Sequence, residues 1–303
     1  MPITFDENAE KHGDGITYHD KKKKKFPGIE KLIEIAKRTQ SLEHDLSISQ
    51  DEATMELEPL NGWANVAFSA DWHLGSLFTD YDRWIKHIEY VKNTKGLYIG
   101  AVGDLIDNFL RFRNLNPLFK QVLSPKNQTV FLQETLEYIK DKLLFAFWGN
   151  HDVEWQEKNA SFSEIAEILG QDFVYFNAVG RINLKVGDQI YRLIGSHNFP
   201  GHSHWNPTHP LLRAAKKYPG YGVYFQGDKH NSSYLYCSPT DDIDSEHAHM
   251  LQVGTFKTLG DTYSNRYFGN GEEGVHTISF CAERKEAVWF PNPEMATRFI
   301  NNE

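Results

Sequence analysis

The sequence predicts a layered α/β fold, built on a mixed sheet or on two facing sheets. Three observations carry this. The chain of 303 residues is 40% hydrophobic and 14% aromatic, enough for a packed interior and too much for a disordered or collagen-like chain. Past residue 60, short apolar runs alternate with segments of helical period. From Tyr234 to Trp289 the chain is mainly short apolar runs broken by Gly, Asn and Asp turns. A βαβα beginning with a β-rich second half is the pattern of layered α/β domains. At roughly 150 residues per domain, the length allows one or two domains, and no internal repeat is visible.

Residues 1–60 form an N-terminal extension, with 9 Lys/Arg against 13 Asp/Glu. Lys21–Lys25 read as a solvated, mobile arm. Pro27 and Gly28 precede a short amphipathic helix, in which Ile29, Leu32, Ile33 and Ala36 recur at helical spacing up to Arg38. This helix is expected to dock on the main body or on a second copy of the chain. Ser47–Pro59 is acidic and reads as a linker.

The main domain spans 61–303. Ala64–Ala70 is a buried strand. Tyr81–Val91 is a helix, with Trp84, Ile85, Ile88 and Val91 on one face. Leu97–Val102 is a second buried strand, Thr129–Lys142 a helix and Leu143–Trp148 a third strand. Ser161–Leu169 reads as a helix opened by a capping serine, and Phe173–Val179 as a strand. Arg181–Val186 and Gln189–Ile194 flank Gly187-Asp188 as a hairpin, and Tyr221–Gln226 is a further strand.

Composition excludes several classes. Cys237 and Cys281 are the only cysteines, too few for a disulfide scaffold, and neither sits in a CxxC pair. The polar start MPITFDENAEKHGDG lacks the apolar core of a signal peptide. No run approaches the roughly 18 apolar residues of a membrane span. A cytoplasmic protein without a membrane partner is expected. The formal net charge of −9 argues against nonspecific binding to polyanions.

Five polar clusters follow predicted strands: Asp71-Trp72-His73, Gly103-Asp104-Leu105-Ile106-Asp107, Gly149-Asn150-His151-Asp152, Gly195-Ser196-His197 and Gly227-Asp228-Lys229-His230. Ligands of α/β sheets bind beyond the carboxyl ends of strands, so the clusters are expected to converge on one edge. Carboxylate, imidazole and amide donors together suit divalent Mn, Fe or Zn. One aspartate can bridge two ions, and two close ions suit in-line attack on phosphorus.

From residue 64 to about 290 the sequence resembles the calcineurin-like metallophosphoesterases, most specifically in the Asp71/His73 motif, GDLID and GNHD. The resemblance implies two facing mixed β-sheets flanked by helices. It implies that Asp71, His73, Asp104 and His230 hold one metal, and that Asp104 bridges to a second, which also takes Asn150 and His197. His151 would sit beside the scissile phosphate, stabilising its charge or protonating the leaving oxygen, and Asp152 would orient His151. A hydroxide bridging the metals would attack phosphorus in line. One position departs from the pattern. The usual last motif, GHxH, is GDKH here, so Asp228 stands where a metal-binding histidine belongs. An aspartate ligand makes that position harder and more anionic, favouring Mn or Mg over Zn; the alternative expectation is that the second metal binds weakly. Gly201-His202-Ser203-His204 matches GHxH letter for letter, but it follows His197 without an intervening strand and precedes a turn. His202 remains an alternative to His197 as ligand, or a substrate contact.

Charge is unevenly placed. Asn108–Gln133 has no acid but holds Arg111, Arg113, Lys120 and Lys126. Gln189–Gly227 likewise has none and holds Arg192, Arg213, Lys216 and Lys217. Arg111 and Arg113 alternate with Phe109 and Phe112, a mix suited to phosphate contact and base stacking. With His151 present in GNHD, the resemblance implies phosphodiester hydrolysis with two divalent ions, manganese foremost, and the arginine-and-aromatic stretch turns the expectation toward DNA, RNA or a nucleotide. The alternatives are a phosphomonoesterase, a nucleotide-linked pyrophosphohydrolase, and a metal-stabilised binding scaffold.

Overall fold

The computed structural model describes residues 10–12, 16–18, 29–31, 33–34, 36–37, 51–108, 120–154, 174–201, 203, 205–239, 247–258 and 273–302. It divides into two compact units, Met1–Ile48 and Ser49–Glu303. In the first, β1 (Glu10–His12) pairs antiparallel with β2 (Ile16–Tyr18), and residues 29–31, 33, 34, 36 and 37 are helical. The lysine run lies outside the described residues, as does the helix expected at Ser161–Leu169.

The second unit holds two mixed six-stranded sheets. The first has the order β14 (Ala287–Phe290), β13 (His276–Cys281), β4 (Trp63–Ser69), β5 (Leu97–Val102), β6 (Leu143–Phe147) and β7 (Tyr175–Phe176). The second has the order β11 (Ser233–Cys237), β12 (Ala248–Gln252), β10 (Val223–Gln226), β9 (Gln189–Ser196), β8 (Val179–Val186) and β3 (Glu52–Leu57). The hairpin around Gly187-Asp188 joins β8 to β9.

Side chains alternate across each strand, and this sorts the core into layers. Val66, Phe68, Val102, Phe145 and Phe147 of one sheet meet Ile182, Leu193, Phe225 and Leu251 of the other. Phe68 and Phe225 approach to 4.8 Å between ring centres. On the outer face of the first sheet, Ala67, Ile99 and Ala101 pack with Trp84, Ile88 and Leu136 from helices α1 (Tyr81–Asn93) and α2 (Pro125–Tyr138). On the outer face of the second, Ile194, Tyr224 and Met250 pack with Leu211 and Ala215 of α3 (His209–Lys217). A fourth helix, α4 (Pro293–Asn301), sets Phe299 edge-on against Trp63 at 5.0 Å. Among the described residues no helix is long and apolar enough to cross a membrane.

Two expectations need correction. The acidic segment read as a linker contains β3, an edge strand that pairs in parallel with β8 over Glu52–Leu57. Its glutamates face solvent while Ala53, Met55 and Leu57 turn to the core, so charge masked an alternating strand. Helix α2 begins at Pro125, before the expected Thr129. Ser124 caps it by accepting from Asn127 N at 3.3 Å, and proline suits the first turn, where its missing N–H costs nothing.

Candidate metal centre

All the predicted clusters lie on loops that leave strand ends. Asp71 and His73 follow β4, Asp104 follows β5, and Asn150–Asp152 follow β6. His197 follows β9, and Asp228 and His230 follow β10. Strands β4, β5 and β6 are parallel, and so are β9 and β10, which places these ends on a common edge in each sheet. Bonds between loops join the two edges. His197 Nδ1 donates to the Val102 carbonyl at 2.7 Å, and Asp228 N donates to Asp71 Oδ2 at 3.0 Å.

The backbone is left-handed at Asp71 (φ 51°), His73 (47°), Asp104 (50°), Asp228 (68°) and His230 (53°). Such φ values are uncommon outside glycine and are tolerated best by Asp, Asn and His. Strain of this kind persists only where the surrounding fold enforces it, and it collects at functional sites. The loops also need glycine. A Cβ on Gly149 would lie 2.0 Å from Asp104 Oδ1 and 2.1 Å from Asp104 N. Backbone nitrogen cannot yield as a side chain can. Gly149→Ala is therefore expected to weaken Mn binding at least about tenfold, as disturbed support of a ligand does. Calorimetric titration with Mn checks this, and wild-type affinity in the variant would refute the packing argument.

The ring nitrogens and carboxylate oxygens show what the centre could hold. His73 Nδ1 lies 3.1 Å from Asp107 Oδ1, and the charge of that carboxylate favours the ring proton on Nδ1 and a lone pair on Nε2. That lone pair faces His230 Nε2 at 2.9 Å, and Asp71 Oδ1 lies 3.4 Å from the same His230 nitrogen. His197 Nδ1 donates to the Val102 carbonyl at 2.7 Å. Its Nε2 therefore faces Asp104 Oδ1 at 3.3 Å and Asp228 Oδ1 at 3.8 Å. Asp71 Oδ1 and His197 Nε2 are buried without a hydrogen-bond partner. Acceptors facing acceptors in a buried space require a proton or a cation between them. Asp71, His73 and His230 form one donor group, and Asp71, Asp104 and His197 another. Asp104 directs Oδ1 to His197 and holds Oδ2 3.9 Å from His73 Nε2, one oxygen toward each group. The mixture of carboxylate and imidazole suits divalent ions.

Electrostatics agree. Burial, with Lys257 nearby, pushes the His73 and His230 imidazoles down to about 4, so both are neutral ligands at pH 7. Burial pushes the Asp71 carboxyl up to about 7. Burial opposes ionisation of Asp104, but the His197, His151 and His73 rings hold it well below the usual carboxylate range. Burial likewise opposes protonation of His197, yet Asp104, Asp71 and Asp228 raise it well above the ordinary value. The carboxylates thus recruit a proton onto His197, a positive charge that a bound cation would replace.

Asp152 has a different task from the expected orienting of His151. It sits in a π-helical turn, Asn150–Glu154, that turns its carboxylate inward. Oδ1 accepts from Leu105 N at 2.9 Å and Ile106 N at 3.1 Å, and Oδ2 accepts from Gly149 N at 2.9 Å. Asp152 thereby ties the loop after β6 to the loop after β5. His151 Nδ1 faces the Asp107 carbonyl, and His151 N donates to Asp104 Oδ1 at 2.9 Å. Its ring stands edge-on to His73 at 4.8 Å.

Two further residues belong to the centre. Lys257 Nζ lies 2.9 Å from Asp107 Oδ1, the same oxygen that faces His73. Asp107 is the last residue of the GDLID cluster, yet no role followed from its type alone. Lys257 follows β12, which is parallel to β10, so the strand-end rule applies to it as well. Asn150 and His197 share the wall of an adjoining cleft of about 500 Å³, with Trp148, Asn177, Asn198 and Phe199. The expected substrate residues Arg111, Arg113 and His202 lie outside the described residues.

Comparison with known proteins bears on the family. No curated protein sequence matches. The solved structures similar to this chain include a predicted phosphoesterase from Streptococcus pneumoniae TIGR4, at 13% identity over 76% of this chain and 98% of that one, with a TM-score of 0.35. A metallophosphoesterase from Sphaerobacter thermophilus is 14% identical over 78% of this chain and 93% of that one, with a TM-score of 0.36. Vacuolar Protein Sorting 29 from Cryptosporidium parvum is 10% identical over 76% of this chain and 99% of that one, with a TM-score of 0.41. The sequence model of the calcineurin-like phosphoesterase family matches residues 64–232, more than half of the chain and the span that carries all five strand-end clusters. The chain belongs to the calcineurin-like phosphoesterases.

Proposed function

We propose that the chain is a phosphodiesterase that uses two divalent ions, manganese foremost, on a nucleic acid or a nucleotide. The observation that carries this is the pair of donor groups, around His73/His230 and around His197, in which imidazole nitrogens and carboxylate oxygens converge close enough to share a cation. In this reading Asp71, His73, Asp104 and His230 hold one ion, and Asp104, Asn150, His197 and Asp228 hold the other. Bound ions supply Lewis acidity toward phosphoryl oxygen and make water nucleophilic at neutral pH.

The protein's own residues do the rest. Asp107 holds His73 in the tautomer whose Nε2 can ligate. Asp152 fixes the spacing of the two loops that carry Asp104 and Asn150. His151 Nε2 lies 4.0 Å from Asp104 Oδ2, beside the donor groups and near the surface. A water oxygen attacks phosphorus, the bond to the leaving oxygen breaks, and His151 supports that oxygen by charge or by giving it a proton. The acid-free stretch 189–227, with Lys216 and Lys217 at the end of α3, favours an anionic substrate.

The test is a Mn-supplemented assay of bis-nitrophenyl phosphate against nitrophenyl phosphate, followed by DNA, RNA, cyclic nucleotides and nucleotide diphosphate conjugates. The diester is expected to turn over at least about tenfold faster than the monoester, a difference of roughly 1.4 kcal/mol in barrier. A faster monoester would make the chain a monoesterase. Bound ions with no hydrolysis of any phosphoester would make it a binding scaffold.

A further inference from the structure

The two ion positions are not built alike, and the difference lies in Asp228 and Lys229. Asp71 and His73 are supported from behind by groups that put no positive charge on a carboxylate oxygen of Asp71. Asp107 takes the Nδ1 side of His73, and Asp228 N takes Oδ2 of Asp71, leaving Oδ1 unpartnered. Asp228 is held otherwise. Its Oδ1 faces His197 Nε2 at 3.8 Å, while its Oδ2 pairs with the ammonium of its own neighbour, Lys229. The pair is largely shielded from water, with 17% of the Asp228 and 14% of the Lys229 side chain exposed. Asp228 also falls outside every close donor group among the described residues.

We propose that Lys229 competes with the second ion for Asp228, so that the His197 position binds its ion much more weakly than the His73/His230 position. The inference rests on the two-ion reading above and concerns only how the ions divide. The charge argument is direct. A cation entering beside His197 meets an ammonium already paired to one of its carboxylate ligands. At low effective dielectric that repulsion opposes it, and the ammonium draws on the carboxylate charge that would hold the ion. Among the described residues, the lysine beside the first position, Lys257, pairs with Asp107, which stands behind His73. In wild-type protein the second position would then fill only when divalent ion is plentiful, and its occupancy would follow ion concentration.

The test is Mn titration of the metal-depleted full chain, by calorimetry and by equilibrium dialysis with metal analysis. Wild-type protein should bind one Mn tightly and a second at least about 100-fold more weakly. Lys229→Met should tighten the second constant about 10- to 100-fold and leave the first unchanged, the range over which residues supporting metal ligands act. Lys229→Arg keeps the charge and should keep the weak second step. Lys229→Gln serves in place of Lys229→Met should that variant fail to fold. Two equal wild-type constants, or an unchanged ratio in both neutral variants, would overturn this inference while leaving the two-ion reading intact. No Mn bound by wild-type protein would overturn both.

Discussion

Asp104→Asn is expected to lower kcat on bis-nitrophenyl phosphate by about 10³-fold, with little change in fold. Each 1.36 kcal/mol of lost transition-state stabilisation is a factor of ten, and ion-mediated charge stabilisation is worth several kcal/mol. Asp104 earns this prediction by position. One of its oxygens faces His197 at 3.3 Å and the other lies 3.9 Å from His73 Nε2, so its two oxygens turn toward different nitrogens. Its Oδ1 also accepts from His151 N at 2.9 Å, which links it to the residue proposed to support the leaving oxygen. Asparagine keeps the shape and one acceptor but removes the charge. It can also present an NH₂ to His197, which would satisfy the Nε2 lone pair and remove the demand for a cation. Metal analysis should therefore show fewer bound ions in the variant, together with the loss of rate. Full ion content with full activity would remove Asp104 from the centre.

Much of this was legible because the chemistry follows apolar runs. Ala64–Ala70, Leu97–Val102 and Tyr221–Gln226 read as buried strands, and their next residues are those that meet in space. Elsewhere the signal was present but outvoted. Glu52–Leu57 alternates as an edge strand should, yet its glutamates made it look like a linker. Asp152 stands next to His151 in sequence, but a π-helical turn sends its carboxylate to the amides of Leu105, Ile106 and Gly149. Adjacency along the chain does not set direction in an irregular turn. Lys257 was illegible for a different reason: a buried ion pair needs a partner from a distant loop, here Asp107, and spacing cannot announce it.

That ion pair sets the second large effect. Lys257→Met is expected to destabilise the protein by about 3–5 kcal/mol, the usual cost of leaving one member of a buried pair uncompensated. Lys257 and Asp107 are both buried, and Nζ lies 2.9 Å from Oδ1. Burial works against an ionised Asp107, and the Lys257 ammonium with the His73 ring holds its carboxyl far below the ordinary range. Without the ammonium, two relaxations compete. Asp107 can take up a proton, and then it no longer accepts from His73 Nδ1 as a carboxylate. Alternatively, His73 can become an imidazolium, since Lys257 is one of the charges that now depress it. Both outcomes remove a neutral His73 with a free Nε2, so Mn affinity should fall along with stability. A double-mutant cycle with Asp107→Asn separates coupling from simple loss of packing. The double variant buries no unpaired charge at this pair and should recover most of the loss. Urea unfolding of the four metal-free proteins gives the coupling directly. Additivity within about 0.5 kcal/mol would mean that the two side chains act independently, and the account of His73 held through Asp107 by Lys257 would then fail.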